Sequence, residues 1–195
     1  MKNNNLQAML LIAVIIIQSC NSANRTENMD DSTAVDHTKV DTAMLTRTTP
    51  LENGAEGAMF MEKAAIGGML EVELGKLAWQ KAKSNKVKEF GALMEKDHNE
   101  LNAALKVLAK SKGMKLPASL PVKEQEQFNE MNSMSGDNFE KHYMDMMVED
   151  HIKDIELFKG AGKSPDTTIS SFATRALPVL EQHYKKAKEI SASLK

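Results

Sequence analysis

The chain has 195 residues, about one domain's worth, with 25 basic and 27 acidic side chains and a formal charge of −2. That balance carries no basic footprint and argues against nucleic acid as a partner, and the single cysteine rules out an internal disulfide framework. No apolar run approaches the ~18–20 residues that a membrane-spanning helix needs.

Residues 1–20 read MKNNNLQAMLLIAVIIIQSC. Lys2 supplies a short positive region, and Ala8 to Ile17 is unbroken apolar sequence of signal-peptide length. The run ends at Ser19-Cys20, a small residue directly before the cysteine, which resembles the lipobox of bacterial lipoproteins. The resemblance implies that residues 1–19 are removed and that Cys20 is lipidated and becomes the first mature residue. Acyl chains contribute ~0.8 kcal/mol per buried CH₂, enough in pairs for stable anchoring. The expected location is the bacterial cell envelope, at the outer membrane facing the periplasm, with the membrane as a partner through the lipid. Removal of residues 1–19 takes away Lys2 and no acid, which leaves 24 basic and 27 acidic residues, formally −3. Attraction to anionic lipid then contributes nothing, and the acyl chains must do the anchoring.

Residues 20–54 follow as a tether. They contain no aromatic residue and are rich in Asn, Asp, Ser and Thr, so they cannot bury enough apolar area to offset the entropy of ordering. His37 and Met44 lie in this stretch and read as solvated side chains.

Every aromatic residue lies between Phe60 and Tyr184, and apolar spacing there follows the helical period. Breaks at Ser84-Asn85, at Gly113 with Pro117 and Pro121, and at Gly160, Gly162 and Pro165 divide residues 55–195 into helices near 55–83, 85–112, 135–159 and 165–193. A short extra helix is expected at about 122–132, between helices two and three. Gly113 suits a helix C-terminus, and Ser164 and Pro165 suit the N-cap and first position of helix four. Pro178 should kink that helix. Four helices of ~35–43 Å with short first and third joints predict an all-α, antiparallel four-helix bundle.

Each long helix carries one ionisable group on its apolar stripe. These are Glu71 after Phe60, Ala64 and Gly67; His98 among Val87, Phe90, Met94 and Leu105; His151 between Met147 and Phe158; and His183 between Leu180 and Ala187. In an antiparallel pair, residues at one level share a midpoint. Glu71 and His98 average 84.5, at the Ser84-Asn85 turn. His151 and His183 average 167, whereas the turn signals centre near 163, a mismatch of ~12 Å. Either the third helix runs longer, or His183 sits on another level, opposite Tyr143.

Inward Glu and His from several helices make a metal site inside a bundle. The alternative is a buried polar network in which each His donates to a carboxylate or a backbone carbonyl. Three seam histidines with a seam glutamate favour the metal, because unpaired buried polar groups cost ~1–3 kcal/mol each. Asp97 and Asp150 precede His98 and His151 and flank the stripe, as extra ligands, as acceptors for a His on a neighbouring helix, or as solvated charges. The expected site is therefore Glu71, His98 and His151 with His183, Asp97 and Asp150, around a single Fe, Mn, Zn or Cu ion. Binding should weaken as pH falls through the ordinary histidine range near ~6.5. The methionines at 59, 61, 144, 146 and 147 read as flexible core filler rather than a Cu(I) site, Met131 and Met134 fit either reading equally, and Trp79 reads as packing.

The run from Ala64 to Ala78, Met94-Glu-Lys-Asp97-His98, Ser135-Gly136 with Phe139 and Tyr143, Asp150-His151, and Leu177-Pro178 with His183 resemble a family of exported bacterial proteins. That family is known as a domain of unknown function, is often named as outer-membrane protein, and is placed with ferritin-like bundles. The resemblance covers about 57–190 and implies a ferritin-like fold and export, with no activity to carry over. Di-iron ferritin-like proteins use Glu-x-x-His on two helices. Glu95 to His98 fits that spacing, but Glu181-Gln-His183 and Val148 do not. Three function classes remain: a metal-binding bundle for storage, buffering or sensing; a metal-dependent oxidase or other redox enzyme; and a structural or stress-related module with a metal-free polar core.

Overall fold

The computed structural model describes residues 50–194. The expected signal peptide, Cys20 and the tether up to residue 49 lie outside the described residues. Five helices follow in order: α1 (Pro50–Lys81), α2 (Asn85–Ser111), α3 (Val122–Ser133), α4 (Gly136–Ala161) and α5 (Thr167–Ser193). No strand occurs among the described residues. None of these helices is long and apolar enough to cross a membrane.

Helix α1 starts five residues before the expected position 55, because Pro50 suits a first helical turn, where its missing N–H leaves no bond unmade. Helix α2 ends where Gly113 turns left-handed, at φ 67°. There the amide of Met114 donates to the carbonyl of Ala109 at 2.9 Å and that of Gly113 to Lys110 at 3.1 Å, closing a Schellman motif. The N-cap of α5 is Asp166, not Ser164. Its Oδ1 accepts from the amides of Thr168 and Ile169, and Ser164 Oγ accepts from the amide of Asp166. A carboxylate at this end also complements the helix dipole. Helix α5 continues through Pro178, which cannot donate to the carbonyl four residues before it.

Helices α1 and α2 run in opposite directions and meet most closely at Gly75 and Gly91. A Cβ on either would stand 2.6 Å from the other's carbonyl oxygen. The Cβ of Ala78 also faces Gly91, which turns Trp79 outward: it is 55% exposed rather than packed in the core. The turn between these helices is closed by α4. The buried Glu140 accepts the amide of Lys83 and, at 2.7 Å, that of Ser84, and so caps α2 where Ser84 makes no side-chain cap of its own.

Helix α4 packs along α5, α1 meets α4, α2 meets α5, and α3 lies against α1 and α4. The core divides into two apolar clusters. One holds Leu74, Phe90, Met94, Phe139, Tyr143 and Met147; the other holds Phe60, Leu105, Phe158, Phe172 and Leu180. Met61, Met131, Met144 and Met147 are buried filler, whereas Met59 is half-exposed. Between the clusters lies a polar layer.

Candidate metal centre

The polar layer consists of Glu71 and His98, each 3% exposed, with His151 and His183 fully buried. Each sits on its helix where the 3/4 apolar spacing places a core residue. The histidines converge. Ring centroids are 5.8 Å apart for His98–His151, 5.3 Å for His98–His183 and 5.3 Å for His151–His183. One nitrogen from each lies within 4.8 Å of the others. His151 and His183 therefore share a level. The ~12 Å mismatch disappears because the α4–α5 register is centred near their midpoint rather than at the glycines: Asp145 meets Ser191, and Lys159 meets Glu181.

On each ring one nitrogen is held and the other is free. His151 Nδ1 lies 2.8 Å from the Met147 carbonyl, which can only accept. His183 Nε2 lies 2.9 Å from Asp97 Oδ2, and His98 Nδ1 lies 2.9 Å from Glu71 Oε2. An acceptor at one nitrogen fixes the proton there and leaves the other as a bare lone pair. The other nitrogens are His98 Nε2, His151 Nε2 and His183 Nδ1, and all three are buried without a hydrogen-bond partner. Three such lone pairs inside a protein are costly unless something binds them. They are the donor set a transition metal takes, at ~2.0–2.1 Å for zinc.

Electrostatics keep the rings neutral. Burial lowers His98 to about 4, against partial opposition from the charges of Asp154 and Asp97. Burial also lowers His183 to about 4, although Asp97 pulls it upward, and it lowers His151, against the charge of Glu71. Neutral imidazole is the ligating form. Proton competition therefore begins well below the ordinary histidine range, a correction to the sequence-based expectation. Burial raises Asp97, but hydrogen bonds from His183 and Lys96 outweigh it, so Asp97 stays ionised and accepts.

Glu71 stands behind the rings rather than among the free nitrogens. Its Oε2 holds His98 Nδ1, its Oε1 lies 3.5 Å from His151 Nδ1, and Oε1 has no hydrogen-bond partner. Burial raises it to about 7; the charge of His151 opposes this and that of Asp150 adds to it. Asp150 does not meet the rings. It pairs with Lys153 at 2.9 Å, because the acceptor for His151 is the Met147 carbonyl one turn earlier.

Sequence reasoning missed Asp154. It is half-buried, hydrogen-bonds with Glu71, and is pushed well above the usual carboxylate range by burial and then by the Glu71 charge. Asp154 thus retains its proton, and Glu71, which takes up a proton of its own below about 7, keeps Oε2 toward His98 Nδ1. The available signal was its spacing, three residues beyond His151 on one helix face. Tyr143 also leaves its buried hydroxyl unpartnered, and burial with the Glu71 charge raises its pKa. A void of only about 10 Å³ adjoins Glu71, His98 and Asp154, room for about one water.

A DUF305 protein of Streptomyces coelicolor, catalogued as a candidate secreted protein, is structurally similar, with a TM-score of 0.60 and 11% identity over 73% of this chain and 93% of its own. A DUF305 fragment from Deinococcus radiodurans is similar with a TM-score of 0.64 and 7% identity, covering 74% of this chain and 97% of its own. At such identities the likeness concerns the fold alone. No curated protein matches the sequence. The sequence matches a domain of unknown function, DUF4142, over residues 36–190, and the chain belongs to that family.

Proposed function

We propose that this protein is an envelope metal-binding module that holds one transition-metal ion at His98 Nε2, His151 Nε2 and His183 Nδ1, for storage, buffering or sensing. The observation that carries the reading is the set of three buried, unpartnered nitrogens whose ring partners are each held by an acceptor. Glu71, Asp97 and the Met147 carbonyl orient the rings, the role outer groups play around ligating histidines. The helices are read as an antiparallel, ferritin-like four-helix bundle of α1, α2, α4 and α5, with α3 as the extra helix. Export and attachment through lipid at Cys20 complete the proposal, supported by the sequence before residue 21.

Imidazole ligands suit Fe, Zn and Cu, and Mn remains a weaker candidate. Three nitrogens leave a coordination position open, which a redox enzyme would need. The adjoining void of about 10 Å³ admits water but no larger substrate, and this favours holding the ion over turnover.

The test is metal analysis of the purified protein, followed by thermal unfolding with Fe(II), Mn(II), Zn(II) or Cu(II). A metal at a hundred times its dissociation constant should stabilise by ~2.7 kcal/mol, and His98→Ala should abolish the response. If no metal raises the wild-type midpoint, the layer is a structural polar network.

A further inference from the structure

The histidines are sealed from solvent, so an ion needs a way in. A groove of about 590 Å³ lies between α1, α3 and α4. Asp150 and Lys153 stand in it, with Gly67 and Leu70 from α1 and Glu126 and Glu130 from α3. Six of its residues are acidic and three are lysines; with Glu71 and Asp154 holding protons, the four outer carboxylates still exceed the lysines by one, so its local charge is slightly negative.

Two residues line both this groove and the small void beside His98: Glu71 and Asp154. They form the partition between surface and centre. Glu71 is 3% exposed, and its Oε1 is buried without a hydrogen-bond partner. An acidic groove alone is a solvated surface. A groove whose inner wall is a buried carboxylate, in contact with the His98 and His151 rings of the centre, is a path for a cation.

We propose that the α1/α3/α4 groove is the loading route of the metal centre, with Asp150 at its mouth and the Asp154–Glu71 pair as the relay through which a divalent cation passes to the histidines. This rests on the metal reading above. Asp150 and the α3 acids concentrate cations at the groove, as a cleft lined by one sign of charge does. An ion entering from the groove displaces the carboxyl protons of Asp154 and Glu71 to groove water and exchanges water for their oxygens. It then exchanges those oxygens for His98 Nε2 and its neighbours, after which the carboxyls take their protons back from water. Glu71 returns to its hydrogen bond with His98 Nδ1. The proposal also gives α3 a role, as the outer wall of the route.

The experiment follows Co(II) loading of the full-length protein in detergent by stopped-flow visible absorbance, with dissociation measured separately by a chelator chase. Asp154→Asn cannot shed a proton to meet the cation as a carboxylate, so it should slow association at least about tenfold, the low end of what local charge contributes to on-rates, while the final spectrum stays that of the wild type. Gly67→Leu tests the route sterically, without a change of charge. A Cβ at Gly67 stands 3.8 Å from Asp154 Oδ1, so the backbone accepts a side chain that then occupies the groove. It should slow association and dissociation together. Asp137→Asn, in an exposed pair with Lys83 on another face, should load at the wild-type rate. Wild-type association rates for both Asp154→Asn and Gly67→Leu would overturn the route while the metal site stands. Absence of Co(II) bands in the wild type would overturn the site itself and the route with it.

Discussion

His183 on α5 donates from Nε2 to Asp97 Oδ2 on α2 at 2.9 Å, across 86 positions of sequence. The contact fixes the tautomer of His183, so that Nδ1 faces His98 and His151 as a lone pair. It also ties the two hairpins together at the level of the centre.

Asp97→Asn should weaken metal affinity ~10–100-fold, the usual effect of removing an orienting carboxylate behind a ligating histidine. The amide carbonyl still accepts from Nε2, so the metal-free protein should unfold at nearly its original temperature. Calorimetric titration with the metal identified by analysis, beside thermal unfolding of the stripped protein, checks both halves. Unchanged affinity would remove Asp97 from the site.

The stripped protein should be most stable near neutral pH. In the unfolded chain imidazoles titrate near 6.5, whereas folded His98 and His183 titrate at about 4 and His151 is also lowered. As pH falls through 6.5, the unfolded chain takes up three protons that the folded chain refuses, and stability is lost down to about 4. Glu71 acts in the opposite sense. It is raised to about 7 and holds a proton in the folded state, as does the raised Asp154, and this offsets two of the three. The net difference of one proton amounts to ~1.4 kcal/mol per pH unit. Above 6.5 the unfolded imidazoles are neutral while folded Glu71 still holds its proton, so stability declines with rising pH until Glu71 ionises at about 7. Urea unfolding of chelator-treated protein from pH 4.5 to 8 reads this directly. A profile that rises toward acid would contradict it.

Gly75→Ala should cost ~1–3 kcal/mol, the usual effect of overpacking. The added Cβ meets the Gly91 carbonyl, so α1 and α2 must separate. Glu71 is one turn away, and its hydrogen bond to His98 should lengthen with them. The expected result is lower stability together with weaker metal binding. Denaturant titration with and without metal distinguishes this from a purely local loss, in which affinity is unchanged.

Glu140→Ala should destabilise more than Glu140→Gln. The first leaves the amides of Lys83 and Ser84 without their acceptor, at ~1–3 kcal/mol each if they remain buried. The second keeps a carbonyl oxygen at the same place. Equal denaturation midpoints for the two variants would show that the α1–α2 turn is held by other contacts.

On the lipobox reading, Cys20→Ala should release the protein from membranes into the soluble fraction, because the acyl chains supply the anchoring. Membrane association that survives both this change and high salt would refute lipidation at this position.

Much of the architecture was legible along the chain. The 3/4 stripes located five helices to within a few residues, and Gly113 marked its helix end, because periodicity and turn chemistry are local properties. The same stripes placed Glu71, His98, His151 and His183 inward, since a residue at a core position of a helix faces the core wherever the helix packs. Pro50 and Asp166 moved two helix starts by a few residues, as caps do when two candidates adjoin. Register was beyond local reading. Whether His183 stands level with His151 depends on how α4 and α5 slide past each other, which their packing decides rather than the glycines between them. The direction of each ring was equally hidden. Sequence could place three imidazoles and several carboxylates in one layer, but not which nitrogen each acceptor holds. Only the folded chain put Glu71 behind His98, replaced Asp150 by the Met147 carbonyl, brought Asp154 to Glu71, and left three lone pairs facing one point. Apart from the Met147 carbonyl, four residues before His151 on α4, those are relations between helices distant in sequence, and tertiary packing alone sets their distances.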